Sequence, residues 1–434
     1  MQSRNLALVI SAMMLVGLLA IPASADTDWA QFQGDSDKNA FTAEDGPTSV
    51  STSWETYIGG GGWMGVDSTP IVVGNYVYAM SSNGNLSKVS DTGTAVTSGN
   101  WPVDLAGSGF QNSVAATNGS AIFVVTTGYS SATPTLYAID ADDGSTLWDE
   151  TIGTSDYQCS CPILYDNGKL YFGTVKMSNL DATNDSDDGT YYCYDEDGTL
   201  EWSTSTTDNK GYYWAGACSV GNYIVYGNDA GNVTLVEKAD GDVADSFDIS
   251  TVFSDNAEIR STCVFDSTNK RIYFTSKSGY CYFVGLDYNQ FTQVYSFDTT
   301  DTASSSSMSY STSTPAIDIG GDVVYVCAGS FSSGGLFALN ADDLSENWQH
   351  GSDGAQSSPV VSEDLDSTKN VVYYTTNVAQ GTCYAVRDDG SGSNDYTQKF
   401  AYTPTNDNYI LQGVAISGSQ VFFGNDDGYL IGLA

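Results

Sequence analysis

The chain has 434 residues, with 14 Lys and Arg against 53 Asp and Glu, for a formal net charge of −39. Charge of that sign and size repels phosphate backbones and anionic lipid, so nucleic acid is not expected as a partner. Only 15% of residues are charged, so most of the surface has to come from Ser, Thr, Asn, Gly and Tyr, a composition suited to a cell-envelope or extracellular protein.

Residues 1–25 read as a leader: Arg4 gives a positive start, Leu6 to Ala20 is apolar, and Ala23-Ser24-Ala25 fits a small-residue cleavage site. The mature chain is expected to begin near Asp26, with a lead-in over 26–50 and one domain over 51–434. No cysteine follows the apolar run, which argues against a lipid anchor, and Tyr429 to Ala434 carry neither a membrane span nor a sorting tail. The expected protein is exported, with no transmembrane segment in its mature part.

Past the leader no segment of useful length has helical period. Instead, short apolar runs alternate with Gly and Asn turns. Thr69 to Val73 reads as a strand, Gly74-Asn75 as a turn, Tyr76 to Met80 as a second strand, Asn83-Gly84 as a turn and Leu86 to Val89 as a third strand. Asp91-Thr92-Gly93 then turns into an outer strand containing Trp101. The same order recurs from Ser313 to Trp348 and from Ser357 to Phe400.

One aromatic residue marks each unit: Trp54, Trp101, Trp148, Trp202, Phe247, Tyr295, Trp348 and Phe400. A repeat of about 50 residues matches one four-stranded blade of a ring. The predicted fold is therefore all-β: an eight-bladed β-propeller of four-stranded antiparallel blades. The last unit supplies only three strands, Val414 to Ile416, Val421 to Phe423 and Tyr429 to Leu433, whereas Ser53 to Tyr57 is an outer strand with nothing before it. The N-terminal strand is expected to complete the last blade, removing two exposed sheet edges. The marker aromatics are expected to dock each outer strand on the next blade as scaffold.

Eight cysteines in an exported chain permit disulfides, and the spacing makes Cys159, Cys161, Cys193 and Cys218 the candidates without fixing their pairing; burial as small apolar residues explains them equally. No paired CxxC motif exists and His350, expected at solvent beside an outer-strand Trp, is the only histidine, so neither a zinc site nor triad chemistry is expected. Acidic turns such as Asp140 to Gly144 recur at one repeat position and read as turns. The loop from Asp181 to Gly189 exceeds the repeat. Its Asp181, Asp185 and Asp187 are candidate Ca2+ ligands, although it lacks a helix-loop-helix register and also reads as a solvated loop. Asn85, Asn118, Asn184 and Asn232 lie in Asn-x-Ser/Thr sequons.

The stretch Leu136-Tyr137-Ala138-Ile139-Asp140-Ala141-Asp142-Asp143-Gly144 followed by Trp148, its counterpart from Leu336 to Trp348, and the lead-in Asp28 to Gly34 resemble the repeats of the pyrroloquinoline-quinone (PQQ)-like propeller family. The resemblance implies the propeller fold and admits quinoprotein dehydrogenases, non-catalytic envelope assembly factors and surface proteins. For a dehydrogenase it implies PQQ between a Trp and a ring of adjacent cysteines, with Ca2+ held by Glu and Asn and an Asp as base. Here Cys159-Ser160-Cys161 is the nearest approach to adjacent cysteines, so neither PQQ nor an enzyme is expected.

The connections that enter each blade share one rim of the ring and carry Trp63, Phe110, Tyr157, Tyr213, Trp214, Arg260, Tyr310, Gln356, Tyr409 and Gln412. Large flat side chains and amides suit docking of a protein or glycan. The expected function is a non-catalytic interaction scaffold. Its rivals are a PQQ- and Ca2+-dependent dehydrogenase and a self-associating surface protein.

Overall fold

The computed structural model describes residues 29–62, 65–105, 114–127, 132–177, 186–208, 210–289, 294–305, 308–318, 320–363 and 369–434. Eight four-stranded antiparallel sheets follow one another around an axis, and the one helical turn among the described residues is Ile249–Val252. Blade 1 comprises Ile71–Val73, Tyr76–Met80, Asn85–Ser90 and Val103–Asp104, so Trp101 precedes its outer strand instead of lying within it. In blade 8, Ser53–Tyr57 pairs in register with Tyr429–Leu433, from Ser53 opposite Leu433 to Tyr57 opposite Tyr429. The two chain ends therefore share one sheet.

The alternation that identified the strands also builds the core. Each second strand is almost wholly buried, as in Tyr223–Gly227 of blade 4, third strands alternate between buried and half-buried residues, and outer strands such as Thr146–Thr151 are mostly exposed. The acidic turns are explained by their own side chains: Asp140 Oδ1 accepts from the backbone N–H of Asp142 (2.8 Å) and Asp143 (3.0 Å).

Five of the marker tryptophans make one repeated contact. The indole N–H of Trp54, Trp101, Trp148 and Trp202 donates to the backbone oxygen of Asp91, Asp142, Glu196 and Lys238 at 2.8–3.2 Å, always in the turn before the outer strand of the next blade. Trp348 does the same with the Asp388 carboxylate at 3.1 Å. A glycine lies beneath four of these rings. A Cβ on Gly241, at φ +79, would fall 2.7 Å from the Trp202 ring. Phe247 has no N–H and packs edge-on against Phe297 of blade 5.

Tyr295 does not dock forward. It turns back onto Tyr223 of blade 4 and against Tyr288, because the outer hairpin of blade 5 (Cys281–Asn289 and Val294–Ser305) is longer than the others. Arg271 and Tyr273 carry that seam instead, both bonding Ala341 O of blade 6 (2.8 and 3.2 Å). Phe400 packs on Tyr373 of its own blade, and the seam onward is held by Glu55, which accepts from Thr405 N (2.6 Å) and Asn406 N (3.0 Å).

The lead-in does more than precede the first blade. It runs around the axis and bonds the innermost strand of blades 1 to 7 in turn, and then the first turn of blade 8. Backbone N–H groups of Val72, Thr117, Ser219, Phe265, Ile317 and Val361 donate to the oxygens of Trp29, Ala30, Ser36, Asp37, Asn39 and Ala40. In blade 3 the Gln31 amide bonds both backbone groups of Tyr165, and in blade 8 the Glu44 carboxylate accepts from Gly418 N. Phe41–Asp45 then adds a parallel fifth strand to blade 7. These contacts lie toward the ends of the inner strands, so the segment closes the back of the channel and leaves the opposite mouth open.

Lys38 is buried within this plug at φ +63 and donates to Gln31 Oε1 (2.7 Å) and Phe32 O (3.1 Å); burial lowers its pKa to about 7. Burial, then the neighbouring Asp35 and Asp166, raise the Asp37 carboxyl to about 6. A carboxyl raised on folding contributes stability that is complete below its unfolded value of 3.8 and lost as pH climbs through about 6. Asp37→Asn is therefore expected to gain on the parent protein as pH rises from about 4 to about 7, read as the difference in melting temperature at each pH.

Replacing the fully buried Trp348 by Ala is expected to cost about 3 to 5 kcal/mol in denaturant unfolding, since it removes a large core side chain and a donor to Asp388. Deleting residues 51–58 is expected to lower the melting temperature of the whole ring; equal melting of the truncated and full chains would contradict closure through this strand.

Candidate functional site

Because strands alternate in direction, the connections entering each blade and the turns between its second and third strands all face the mouth. There the axis opens into a narrow cavity of about 30 Å³. Phe32 of the plug is its floor, and its walls come from seven blades, including Ser160, Trp214, Arg260, Thr312, Gln356 and Gln412.

Its polar groups differ in how they are held. Trp214 sits at φ +62, and its indole N–H is buried without a partner, as is the Ser160 hydroxyl. Gln356 accepts from Asn377 Nδ2 at 2.5 Å. Arg260 is only 3% exposed, with Nε and Nη2 on the two oxygens of Asp229 (3.0 and 2.9 Å) and its guanidinium 4.5 Å above the Tyr213 ring. That position corrects the expectation of a rim cation. The arginine is committed to a buried pair, and Tyr213, buried beneath it, supports it instead of facing outward.

The other rim candidates scatter. Tyr157 belongs to a small side sheet (Tyr157–Gln158, Val175–Met177, Ser186–Asp188) and donates to Asp188 Oδ2 at 3.1 Å. Tyr310 and Tyr409 are half-buried outside the cavity wall, and Tyr409 meets Phe331 edge-on at 6.1 Å. Trp63 and Phe110 lie outside the described residues, as do Asp181, Asp185 and the side chain of Asp187. Sequence reasoning missed the floor residue Phe32 and the 64% exposed Phe331. Only the lead-in resemblance pointed toward the first, and no pattern in its Ser- and Gly-rich turn marked the second.

All eight cysteines are free and buried, so the four disulfide candidates are unbridged. Cys159 and Cys161 both direct their sulfurs at Gly173 O (3.4 and 3.0 Å), whereas Cys193 and Cys218 lie in two other core clusters. His350 is likewise buried. Two residues after Trp348 it shares that strand face, with Nδ1 on Tyr374 Oη (2.8 Å) and Nε2 on Gln398 Oε1 (3.0 Å), and burial lowers its pKa.

A family model described as outer membrane protein assembly factor BamB matches residues 91–290. The chain resembles the PQQ-like β-propellers. Quinohemoprotein alcohol dehydrogenase ADHIIG from Pseudomonas putida HK5 is 13% identical at a TM-score of 0.68, over 94% of this chain and 80% of that one. BamB from Moraxella catarrhalis is 14% identical at 0.60, over 88% of this chain and 98% of that one. The computationally designed Ika8 protein is 11% identical at 0.57, over 87% and 98%. At these identities the likeness shows the propeller fold alone. No curated protein matches the chain.

The described residues do not fit a quinone. The axial cavity is far too small for a three-ring cofactor, no carboxylate lines it to hold calcium, and the sulfurs of Cys159 and Cys161 are turned into the core.

Arg260→Ala is expected to destabilise the propeller by about 3 to 5 kcal/mol in chemical unfolding, because Asp229 would be left charged and buried without its cation.

Proposed function

We propose that this propeller is an exported, non-catalytic scaffold that docks a protein partner on its mouth face, in the cell envelope or outside the cell. The observation that carries the reading is the lining of the axial cavity. It offers amides, hydroxyls and an unpartnered indole N–H, with no carboxylate, free cation or nucleophile–base pair among its described residues. Such groups recognise and hold; they do not move protons. The exposed Phe331 beside Tyr409 adds flat contact area on the same face.

The match to an outer membrane assembly factor over residues 91–290 supports a protein partner and an envelope setting. Export is supported by the leader pattern of residues 1–25. Among the described residues no helix is long and apolar enough to cross a membrane.

The test is capture from the native envelope by the immobilised full chain. Trp214→Ala, Tyr409→Ala and Gln412→Ala together are expected to reduce recovery of the partner at least about tenfold, the size of one interface hot spot, with the melting temperature retained. Unchanged capture would move the site off the mouth. Reconstitution with PQQ and Ca2+ is expected to give no dye-linked alcohol oxidation, and turnover would overturn the non-catalytic reading.

A further inference from the structure

Two seams between neighbouring blades are built alike on the mouth side. Between blades 4 and 5, Ile259 N donates to Asn228 O (3.1 Å), which sets the following residue, Arg260, against Asp229. Between blades 8 and 1, Val66 N donates to Asn425 O (2.9 Å), which sets Asp67 against Asp426. The turns that supply the acids are sister sequences, Gly227-Asn228-Asp229 and Gly424-Asn425-Asp426. Position by position, Asp67 stands where the other seam has an arginine.

At the first seam the guanidinium neutralises Asp229 through two bonds. At the second, two carboxyl groups face each other with Asp67 5% and Asp426 7% exposed. Oδ1 of Asp67 is buried with no hydrogen-bond partner among the described residues. Burial, and for Asp67 also the proximity of Asp426, raises both above the usual carboxylate range, the response of buried acids that lack a compensating charge. The two seam segments approach closely, since a Cβ on Gly65, two residues before Asp67, would fall 2.3 and 2.5 Å from the backbone oxygens of Asn425 and Asp426.

We propose that the seam between blades 8 and 1 is a divalent-cation site, in which Asp67 and Asp426 supply carboxylate oxygens to an ion standing where the Arg260 guanidinium stands at the sister seam. Among the described residues the donors are carboxylate oxygens, which selects the calcium class over zinc or copper. Two carboxylates leave the remaining positions to backbone oxygens and water, as calcium accepts and as suits a weak extracellular-type site. The ion would clamp the blade that the N-terminal strand completes, and the proposal stands whether or not the mouth docks a partner.

The test uses the full chain at about pH 8 and matched ionic strength, melted in chelator and in about 1 mM CaCl2, the range of weak extracellular sites. Calcium is expected to raise the melting temperature by about 3 °C or more, and Asp67→Asn and Asp426→Asn are each expected to abolish the shift. Asp67→Arg, which rebuilds the sister pair, is expected to melt in chelator as the calcium-loaded parent does and to ignore calcium. The proposal is overturned if the parent is unmoved by calcium, which leaves only a shared proton. It is equally overturned if the Asn variants keep the parent's shift, which places the ion elsewhere on the acidic surface. Should Asp67→Asn fail to fold, Asp426→Asn in the same assay decides.

Discussion

The ring depends on what happens to sheet edges at the axis. Each innermost strand presents a row of unpaired backbone groups toward a channel too narrow for bulk water, and buried N–H groups without partners are costly. The lead-in from Trp29 to Ala40 answers all but one of these strands by supplying acceptors to blades 1 to 7 in order, and Glu44 serves the eighth. The seams then need only side-chain contacts, and the indole-to-turn bond supplies them at five of the eight.

The marker aromatics were legible because a large flat ring recurs at a fixed repeat position, and in four blades it covers a glycine in the neighbouring turn. Position alone does not fix the docking. Tyr295 keeps the position, but the lengthened hairpin of blade 5 carries it backward, and Arg271 takes over the seam. Closure through Ser53–Tyr57 could be read from a count of strands, since one blade was a strand short and one strand was spare. The threading of the lead-in could not be read that way. Its bonds run mostly through main-chain oxygens, which leave no trace in residue type.

The site was less legible for a related reason. Connection residues were placed on the correct face by topology, yet which of them reach the axis depends on neighbours from other blades. Arg260 was placed on the rim, but its partner Asp229 lies 31 residues away in the chain and one blade away in space. His350 looked exposed beside an outer strand, but strand alternation puts it on the inward face with Trp348. The thiols were read as candidate bridges from spacing, whereas three separate core clusters keep Cys159 and Cys161 apart from Cys193 and Cys218.

The threaded lead-in also dictates an order of events during synthesis. The lead-in precedes all eight blades in the chain and contacts each of them, so its full set of partners does not exist until blade 8 has been made. Contacts that span nearly the whole chain must form late and slowly. Until blade 8 is present the lead-in has only part of its seat, and this architecture favours folding of the ring as a whole over folding blade by blade.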